Sequence, residues 1–365
     1  MTVNERLNQL QSYLEKQNVD IALITTPANV FYYTGFQCEP HERFLALVVD
    51  RKMEKTTLFV PALDKDMAQQ QSSITNIIGI SDEQSPFDVL QDNVATDVQT
   101  VGIEMKTMNV FQYNHMQSVF SNATFTDVQP QVNRQRLVKS KEEIDYMVEA
   151  VHIIEKVYEE GIKKVKEGMT EAELVAELEY LMRKFGADGP SFSTIALFGE
   201  NAALPHGAPG SRKLKKGDFI LIDMGVIKDG YCSDMTRTFV FQEASEKQKE
   251  IYNIVLEATN AGIDAVKAGV PLKTFDIASR NVIKEKGYDA YFNNRVGHGL
   301  GIDVHEEPSI HENNEEIAEK GYVFTIEPGI YIPDFGGVRI EDEVYINEKG
   351  DVEVLTSFPK ELQII

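Results

Sequence analysis

The sequence predicts two domains, an α/β domain over residues 1–130 followed by an α+β domain over residues 131–365. Helical and strand patterns alternate through the first third of the chain, a polar stretch follows near residue 130, and the last third is rich in short strands. The length of 365 residues and the apolar content of 42% suit two domains with substantial cores.

The elements of the first domain follow from the spacing of apolar residues. Leucines at helical spacing predict a first helix over Val3–Gln17. Helical stretches then alternate with short apolar runs, as in a layered α/β domain. These runs predict strands at 21–24, 44–49, 57–60, 76–80 and 100–103.

The second domain opens on a polar and basic segment, Gln131–Ser140, which leads into a long helical pattern over 141–166. We place the domain boundary near residue 130, to within several residues, because boundaries usually fall in polar segments. Two further helices are predicted at about 170–185 and 246–267. The strand-rich end that follows carries most of the chemically interesting residues.

The formal net charge of -22 argues against nucleic acid and against an anionic membrane surface as partners, because both require a basic face. Solubility explains this acidity, and so does a site rich in carboxylates that attracts cations. Cys38 and Cys232 are too few for a disulfide framework, and no apolar run suits a signal peptide or a membrane span. We therefore expect a cytoplasmic protein.

Two aspartates lie in a predicted hairpin over Gly217–Phe241, whose turn is signalled by Lys228-Asp229-Gly230. With an even-numbered turn, Asp223 and Asp234 project from the same face of the antiparallel pair. Such neighbouring carboxylates repel each other unless a cation neutralises them, and both lie in apolar runs where a lone charge is costly. The alternative is a pair of solvated hairpin aspartates.

His298 lies in the glycine-rich segment Gly297–Gly301, and His305 follows it closely. Glycines at alternate positions remove side-chain bulk and let backbone or ligand approach. An isolated histidine is often structural, but two histidines near acidic strands favour a functional role, since neutral imidazole is a common metal ligand.

Two glutamates complete the set. Glu327 interrupts an apolar strand directly before Pro328, and Glu341 shares a strand face with Arg339. A charged pair on an inward face needs a partner such as a metal ion. The sequence therefore predicts a site for two bridged divalent ions, with a structural cation as the alternative. Its ligands are Asp223, Asp234, His298, Glu327 and Glu341.

The predicted ligand set contains one nitrogen and no sulfur. Hard oxygen ligands favour Mn²⁺, although Co²⁺ or Zn²⁺ can also occupy such a site. Two divalent ions acidify a water held between them until it is a hydroxide near neutral pH, so the chemistry expected here is metal-dependent hydrolysis.

Several short motifs follow one another along the second domain. They are NAALPHG (201–207), IDMG (222–225), SDMTRT (233–238), GHGLG (297–301), TIEPG (325–329) and VRIED (338–342). Together they resemble, in order over residues 190–345, the pita-bread metallopeptidase family, which includes methionine aminopeptidase, aminopeptidase P and prolidase. The N-terminal domain and the linker LVKSKEEI (137–144) also resemble the proline-specific branch of that family.

This resemblance implies a creatinase/prolidase-type α/β domain followed by a pita-bread catalytic domain. It also makes the five predicted residues the ligands, with Asp234 and Glu341 bridging both ions. His206 and His305 would contact substrate and stabilise the tetrahedral intermediate, Glu327 would move a proton to the leaving nitrogen, and Arg339 would support the ligands.

The resemblance is greatest to bacterial Xaa-Pro dipeptidases, which implies a small peptide substrate with proline at the second position. In that branch a loop matching 39–44, with His41 and Arg43, reaches the partner's active site in a homodimer, and Arg295 meets the substrate's terminal carboxylate. Many relatives carry a histidine where this chain has Asn294.

Other functions remain open at this point. Aminopeptidase P shares the fold and ligands but acts on longer peptides, whereas methionine aminopeptidase generally lacks such an N-terminal domain. A non-catalytic peptide-binding relative would normally have lost part of the ligand set.

Overall fold

The computed structural model describes residues 2–365 and divides into two compact units, the first ending at Arg136 and the second comprising Leu137–Ile365. The sequence analysis placed this boundary near residue 130. The difference arises because most of the polar segment Gln131–Ser140 belongs to the helix Gln129–Leu137, which the first unit includes up to Arg136. In that helix Gln135 Oε1 accepts from the Tyr33 hydroxyl at 2.5 Å, and Arg136 Nη1 donates to Asn29 Oδ1 at 2.6 Å.

The first unit is an α/β domain built on one mixed sheet, with strand order β4-β3-β2-β1-β5-β6. β2 is antiparallel to both β1 and β3, and the outer pairs β3–β4 and β5–β6 are parallel. Its strands are β1 Ile21–Ile24, β2 Ala46–Asp50, β3 Lys55–Pro61, β4 Ile77–Ile80, β5 Thr100–Ile103 and β6 Thr124–Asp127. Its helices are α1 Val3–Lys16, α2 Pro27–Thr34, α3 Lys65–Gln71, α4 Pro86–Asn93, α5 Val110–Val119 and α6 Gln129–Leu137.

Local sequence explains where these elements begin. The Thr2 hydroxyl accepts from the Glu5 backbone while the Glu5 carboxylate accepts from the Thr2 backbone, so α1 begins with a capping box. Leu10 and Leu14 lie on one face of this helix and are buried in the core. The predicted α/β class is confirmed for this unit, and its predicted strands are present with shifts of one or two residues at their ends.

The second unit combines four helices with short strands across residues 137–365. The predicted helices are present, whereas α10 was not predicted. The helices are α7 Lys141–Gly161, α8 Glu171–Lys184, α9 Glu246–Asp264 and α10 Lys273–Glu285. The strands are β7 Gly189–Pro190, β8 Ile195–Phe198, β9 Phe219–Met224, β10 Val226–Lys228, β11 Tyr231–Cys232, β12 Met235–Val240, β13 Gly297–Gly299, β14 Glu306–Ile310, β15 Val323–Ile326, β16 Gly329–Ile332, β17 Gly336–Arg339, β18 Asp342–Ile346 and β19 Val352–Val354.

These strands form small antiparallel sheets, ordered β11-β10-β7, β12-β9-β8, β14-β13-β15-β18-β19 and β16-β17. Strand β9 is buried on both faces. Ile220 and Ile222 pack in a core with residues of α7 and α8, while Phe219 and Leu221 pack in a second core with residues of α9 and α10. The sheet around β9 therefore lies between two layers of helices, which explains the continuous apolar run before Asp223.

Among residues 2–365, no helix combines the length and the apolar character that crossing a membrane requires.

Tyr158 of α7 ties its helix to the β9–β12 pair. Its buried hydroxyl lies 2.8 Å from the Ile222 carbonyl and 2.7 Å from the Met235 carbonyl, and it can donate to either. Because a buried hydrogen bond contributes roughly 1 kcal/mol, Tyr158→Phe is expected to lower the free energy of unfolding of this unit by about 1–2 kcal/mol. Urea denaturation checks this value. Tyr180→Phe, at a side chain 61% exposed on α8, is the control and should leave it unchanged.

Candidate active site

A cavity of about 510 Å³ in the second unit collects the candidate residues of that unit. All five predicted ligands line it, together with both accessory histidines, Arg339, Arg295 and Asn294. The lining residues are Phe192, Ile195, Pro205, His206, Asp223, Asp234, Asn293, Asn294, Arg295, His298, His305, Glu327, Arg339 and Glu341. Phe192, Ile195 and Asn293 were not identified from the sequence, because no motif or periodicity sets them apart.

The hairpin brings Asp223 and Asp234 to one side of the cavity. Its register pairs Asp223 with Thr236 and Lys228 with Tyr231, so Asp234 is offset from Asp223 by two residues and keeps the same face. The predicted parity is therefore observed, with the aspartates diagonal rather than directly opposed. Gly225 makes this packing possible, since a Cβ there would lie 1.8 Å from the Ser233 carbonyl oxygen.

His298 reaches the cavity from β13, where both neighbouring glycines are sterically required. A Cβ on Gly297 would lie 1.8 Å from the Thr325 carbonyl oxygen, and one on Gly299 would lie 2.0 Å from that of Glu307. The close backbone approach predicted from the glycine spacing is thus present, with β13 between β14 and β15.

The His298 imidazole is held in one tautomer. Its Nδ1 lies 3.2 Å from the Gly299 carbonyl and must donate to it, which leaves Nε2 as an acceptor facing the carboxylates. Nε2 lies 3.6 Å from Asp234 Oδ2 and 3.4 Å from Glu327 Oε1. Burial, with the nearby His305 and Arg295, lowers the pKa of His298 to about 3, so the ring is neutral as a metal ligand must be.

Glu327 and Glu341 follow the ends of two strands. The Glu327 backbone donates to the Val296 carbonyl at 2.7 Å just after β15, and Pro328 separates it from β16. Glu341 lies between β17 and β18, and its Oε2 accepts from the Thr236 hydroxyl at 2.6 Å. Backbone pairing therefore sets the position of each carboxylate.

Arg339 links several parts of the site from a fully buried position. Its guanidinium pairs with the Asp223 carboxylate, and Nη1 donates to the Tyr331 hydroxyl at 2.8 Å. Its Nε donates at 3.1 Å to the Thr236 hydroxyl, which in turn donates to Glu341. Arg339 therefore connects the Asp223 carboxylate of β9 to the Thr236–Glu341 pair.

The carboxylates of this cavity carry a large electrostatic penalty. Burial is the main cause that raises the pKa of Asp234 and Glu341 well above their ordinary values, and neighbouring carboxylates raise both further. Burial likewise raises the pKa of Glu327 to about 7. These shifts mean that the folded chain resists holding all of these groups ionised unless a cation is present.

The donor set fits a divalent ion. Ligand atoms of Asp234, His298 and Glu341 all lie within 4.8 Å of one another. The buried oxygens Asp223 Oδ1 and Asp234 Oδ1 have no hydrogen-bond partner among the described residues. Oxygens left unpaired beside a neutral imidazole are what a hard cation requires.

The two accessory histidines lie on loops at the edge of the cavity. His206 follows the short 3₁₀ helix Gly199–Ala203, and the ring of His305 lies 4.2 Å from that of His298, centre to centre. The loop that carries His305 is held by a buried ion pair, in which Lys139 Nζ lies 3.2 Å from Glu306 Oε2 and the side chains are 2% and 7% exposed.

Arg295 and Asn294 line the cavity next to His298 in sequence. Arg295 Nη1 donates to the Ser309 hydroxyl at 3.0 Å. The Asn294 amide nitrogen donates to the Arg295 carbonyl at 3.0 Å, while its buried Oδ1 has no partner among residues 2–365. The asparagine therefore offers an acceptor at a place where a histidine was expected from the family.

His41 and Arg43 lie in the first unit. Arg43 forms a two-point ion pair with Asp82, with Nε at 2.8 Å and Nη2 at 3.2 Å from the carboxylate oxygens. His41 lies two residues before Arg43, in a turn, and has a positive φ of 55°. That these residues serve a partner's active site stays a prediction.

Comparison with known proteins identifies relatives over nearly the whole chain. Residues 145–348 match metallopeptidase family M24, and residues 6–138 match the creatinase/prolidase N-terminal domain. An uncharacterized peptidase of Staphylococcus aureus is 41% identical over 355 residues, which cover 97% of this chain and 99% of that protein. The predicted order of an N-terminal creatinase-type domain and a metallopeptidase domain is thereby confirmed.

Two solved structures are similar throughout. The Xaa-Pro dipeptidase from Bacillus anthracis is 34% identical with a TM-score of 0.92, and the match covers 100% of both chains. The X-Pro aminopeptidase from Thermotoga maritima is 33% identical with a TM-score of 0.87, covering 96% of this chain and 99% of that one.

The raised carboxyl pKa values predict how stability depends on pH when metal is removed. A carboxyl whose pKa is raised by folding binds its proton more tightly in the folded chain, so stability falls as pH rises through the window between its unfolded and folded pKa values. For Glu327 this window runs from 4.5 to about 7. In chelator, Glu327→Gln should therefore melt several degrees above the parent at pH 7.5 and closer to it at pH 5, since about 1 kcal/mol shifts Tm by roughly 2–4 °C.

Scanning calorimetry at both pH values measures this difference. Asp145→Asn, at a side chain 65% exposed on α7, provides the control and should show no pH-dependent difference. A metal-free parent as stable as Glu327→Gln at pH 7.5 would contradict the electrostatic account.

Proposed function

The chain belongs to metallopeptidase family M24, and from this premise we propose that it is a proline dipeptidase that hydrolyses Xaa-Pro dipeptides with two divalent ions. The observation that carries the proposal is the buried group of Asp234, His298 and Glu341, which shares one cavity with Arg295. The cavity therefore contains a donor set of the kind that binds metal, together with the positively charged Arg295 side chain, which suits a peptide's terminal carboxylate.

The five cavity ligands would hold the ions. Two unpaired aspartate oxygens, a neutral His298 and carboxylates whose charges repel support this assignment. When bound, the ions supply Lewis acidity and an acidified water. A donor set of oxygens with one nitrogen favours Mn²⁺ over Zn²⁺, although Co²⁺ or Zn²⁺ can occupy it.

His206, His305 and the ligand Glu327 also act on the peptide, whereas Arg339 acts on the ligands. His206 and His305 donate hydrogen bonds to the scissile carbonyl oxygen as negative charge develops on it, and each such donor typically contributes about 10²–10³ in rate. The buried carboxyl of Glu327 carries a proton to the leaving proline nitrogen. Arg339 keeps Asp223 and the Thr236–Glu341 pair in place.

The choice between dipeptidase and aminopeptidase depends on Arg295. In the proposed complex its guanidinium pairs with the free carboxylate that follows proline in a dipeptide, a charge-assisted contact that a longer peptide cannot make at the same point. The similar Bacillus anthracis protein is a dipeptidase, which favours this substrate, whereas the Thermotoga maritima relative keeps the X-Pro aminopeptidase as the second candidate.

We also propose that the enzyme works in the cytoplasm, apart from nucleic acids and membranes. Its net charge of -22 opposes anionic polymers and surfaces, and both of its cysteines are free thiols, as a reducing compartment favours.

Substrate length gives the direct test. Enzyme stripped with chelator should lose Ala-Pro hydrolysis and regain it with Mn²⁺, and kcat/KM for Ala-Pro should exceed that for Ala-Pro-Gly by roughly 10–100-fold because of the charge-assisted contact. In Arg295→Met this preference should shrink towards unity. Equal or faster cleavage of Ala-Pro-Gly by the parent would favour the aminopeptidase.

Two results would overturn the metal assignment or the enzymatic function. Asp234→Asn with full activity would show that the assigned ligands are wrong. A folded protein without bound metal or turnover would indicate a non-catalytic relative.

A homodimer is proposed in which His41 and Arg43 of one copy complete the site of the other. Replacing both residues with alanine should raise KM for Ala-Pro by about tenfold, as loss of a charge-assisted substrate contact implies, and leave metal content unchanged. Lys52→Ala, at a side chain 52% exposed in the same unit, is the control. Sedimentation gives the oligomeric state, and unchanged kinetics in a dimer would remove the case for a shared loop.

A further inference from the structure

The loop that carries His206 has little regular structure of its own. After the 3₁₀ helix Gly199–Ala203 it runs through Leu204–Gly210 without a strand or a helix, and His206 itself is exposed. A side chain on such a segment is positioned only as well as the ends of the segment are anchored.

Both ends of this loop meet at one buried carboxylate, that of Glu171. This residue begins α8 and is fully buried. Its Oε1 accepts from the Phe198 backbone at 2.9 Å and from the Asn201 amide at 3.0 Å, on the incoming side of the loop. Its Oε2 accepts from the Gly210 backbone at 2.9 Å, on the outgoing side.

The anchored ends lead directly to His206. From Asn201 the chain forms two successive turns, in which Leu204 donates to the Asn201 carbonyl at 3.0 Å and Gly207 donates to the Leu204 carbonyl at 2.9 Å. The carbonyl of Pro205, next to the histidine, also accepts from Arg339 Nη1 at 3.4 Å. Hydrogen-bonded residues therefore connect the Glu171 carboxylate to the segment that carries the imidazole.

The surrounding fold does not depend on these hydrogen bonds alone. Leu174 and Leu178 of α8 pack in an apolar core with Ala196 and Phe198 of β8, so helix and strand stay together through apolar contacts. The Glu171 carboxylate additionally anchors the loop. Its hydrogen bonds are strong because several N–H donors point at an ionised acceptor.

We propose that Glu171 is a positioning residue for catalysis, which closes the His206 loop so that the imidazole faces the reacting carbonyl. This inference rests on the proposed hydrolase function. It assigns to Glu171 no contact with substrate or metal.

Glu171→Gln keeps the size of the side chain but replaces one acceptor oxygen with a donor. In either orientation of the amide, the Phe198 or the Gly210 backbone N–H loses its acceptor. We expect kcat for Ala-Pro to fall by about 10-fold, part of the roughly 10²–10³ assigned to an oxyanion donor, while KM and metal content change less than about twofold.

A double-mutant cycle separates positioning from general stabilisation. If Glu171 acts through His206, Glu171→Gln should lower kcat by less than about twofold in a His206→Ala background, because the group it positions is already absent. Glu200→Gln is the matched control, since Glu200 lies in the 3₁₀ helix that leads into the loop, pairs with Arg212 and is 53% exposed. It should leave kcat unchanged in both backgrounds.

Asn201→Ala provides a second route to the same answer. It removes one hydrogen bond to Glu171 without leaving a buried backbone N–H unpaired, so it decides the matter if Glu171→Gln does not fold. Its effect on kcat should likewise disappear in the His206→Ala background.

The outcomes are distinct. Coupled effects in either cycle support the inference, whereas independent, multiplicative effects in an active enzyme overturn it and leave the dipeptidase proposal intact. A metal-loaded parent that does not cleave Ala-Pro overturns the dipeptidase proposal itself.

Discussion

Mutual repulsion among buried carboxylates is the constraint on which the second unit is built. Asp223, Asp234, Glu327 and Glu341 share one cavity, and burial raises the pKa of Asp234 and Glu341 well above their ordinary values. Side chains that repel one another stay close together only if the surrounding backbone fixes their positions. Here that support is strand pairing, with each carboxylate in or next to a strand and Arg339 joined to two of the strands.

The two histidines proposed to contact the peptide are held in a different way. His206 and His305 lie on loops, and each loop is fastened by a buried glutamate, Glu171 in one case and Glu306 with Lys139 in the other. The residues proposed to hold metal thus lie in or next to strands, whereas the two histidines proposed to contact substrate lie on anchored loops.

The sequence predicted those features that depend on local periodicity. Strand alternation placed Asp223 and Asp234 on one face, and the glycine spacing predicted the close approach around His298, because both follow from neighbouring residues. The register that pairs Asp223 with Thr236 depends on the length of the turn, which the sequence left open. Phe192 and Glu171 escaped detection because their places in the structure depend on contacts with distant segments. The helix α6 was not predicted because polar Gln135 and Arg136 are among its buried side chains and interrupt the apolar periodicity.

The Lys139–Glu306 ion pair also limits where a fragment of this protein can begin. Lys139 precedes α7, yet its side chain reaches the His305 loop and its backbone donates to the Gly321 carbonyl at 2.8 Å. A fragment that began at the first residue of α7 would keep every cavity-lining residue but leave a buried glutamate without its lysine. The smallest intact catalytic piece therefore starts upstream of its first long helix.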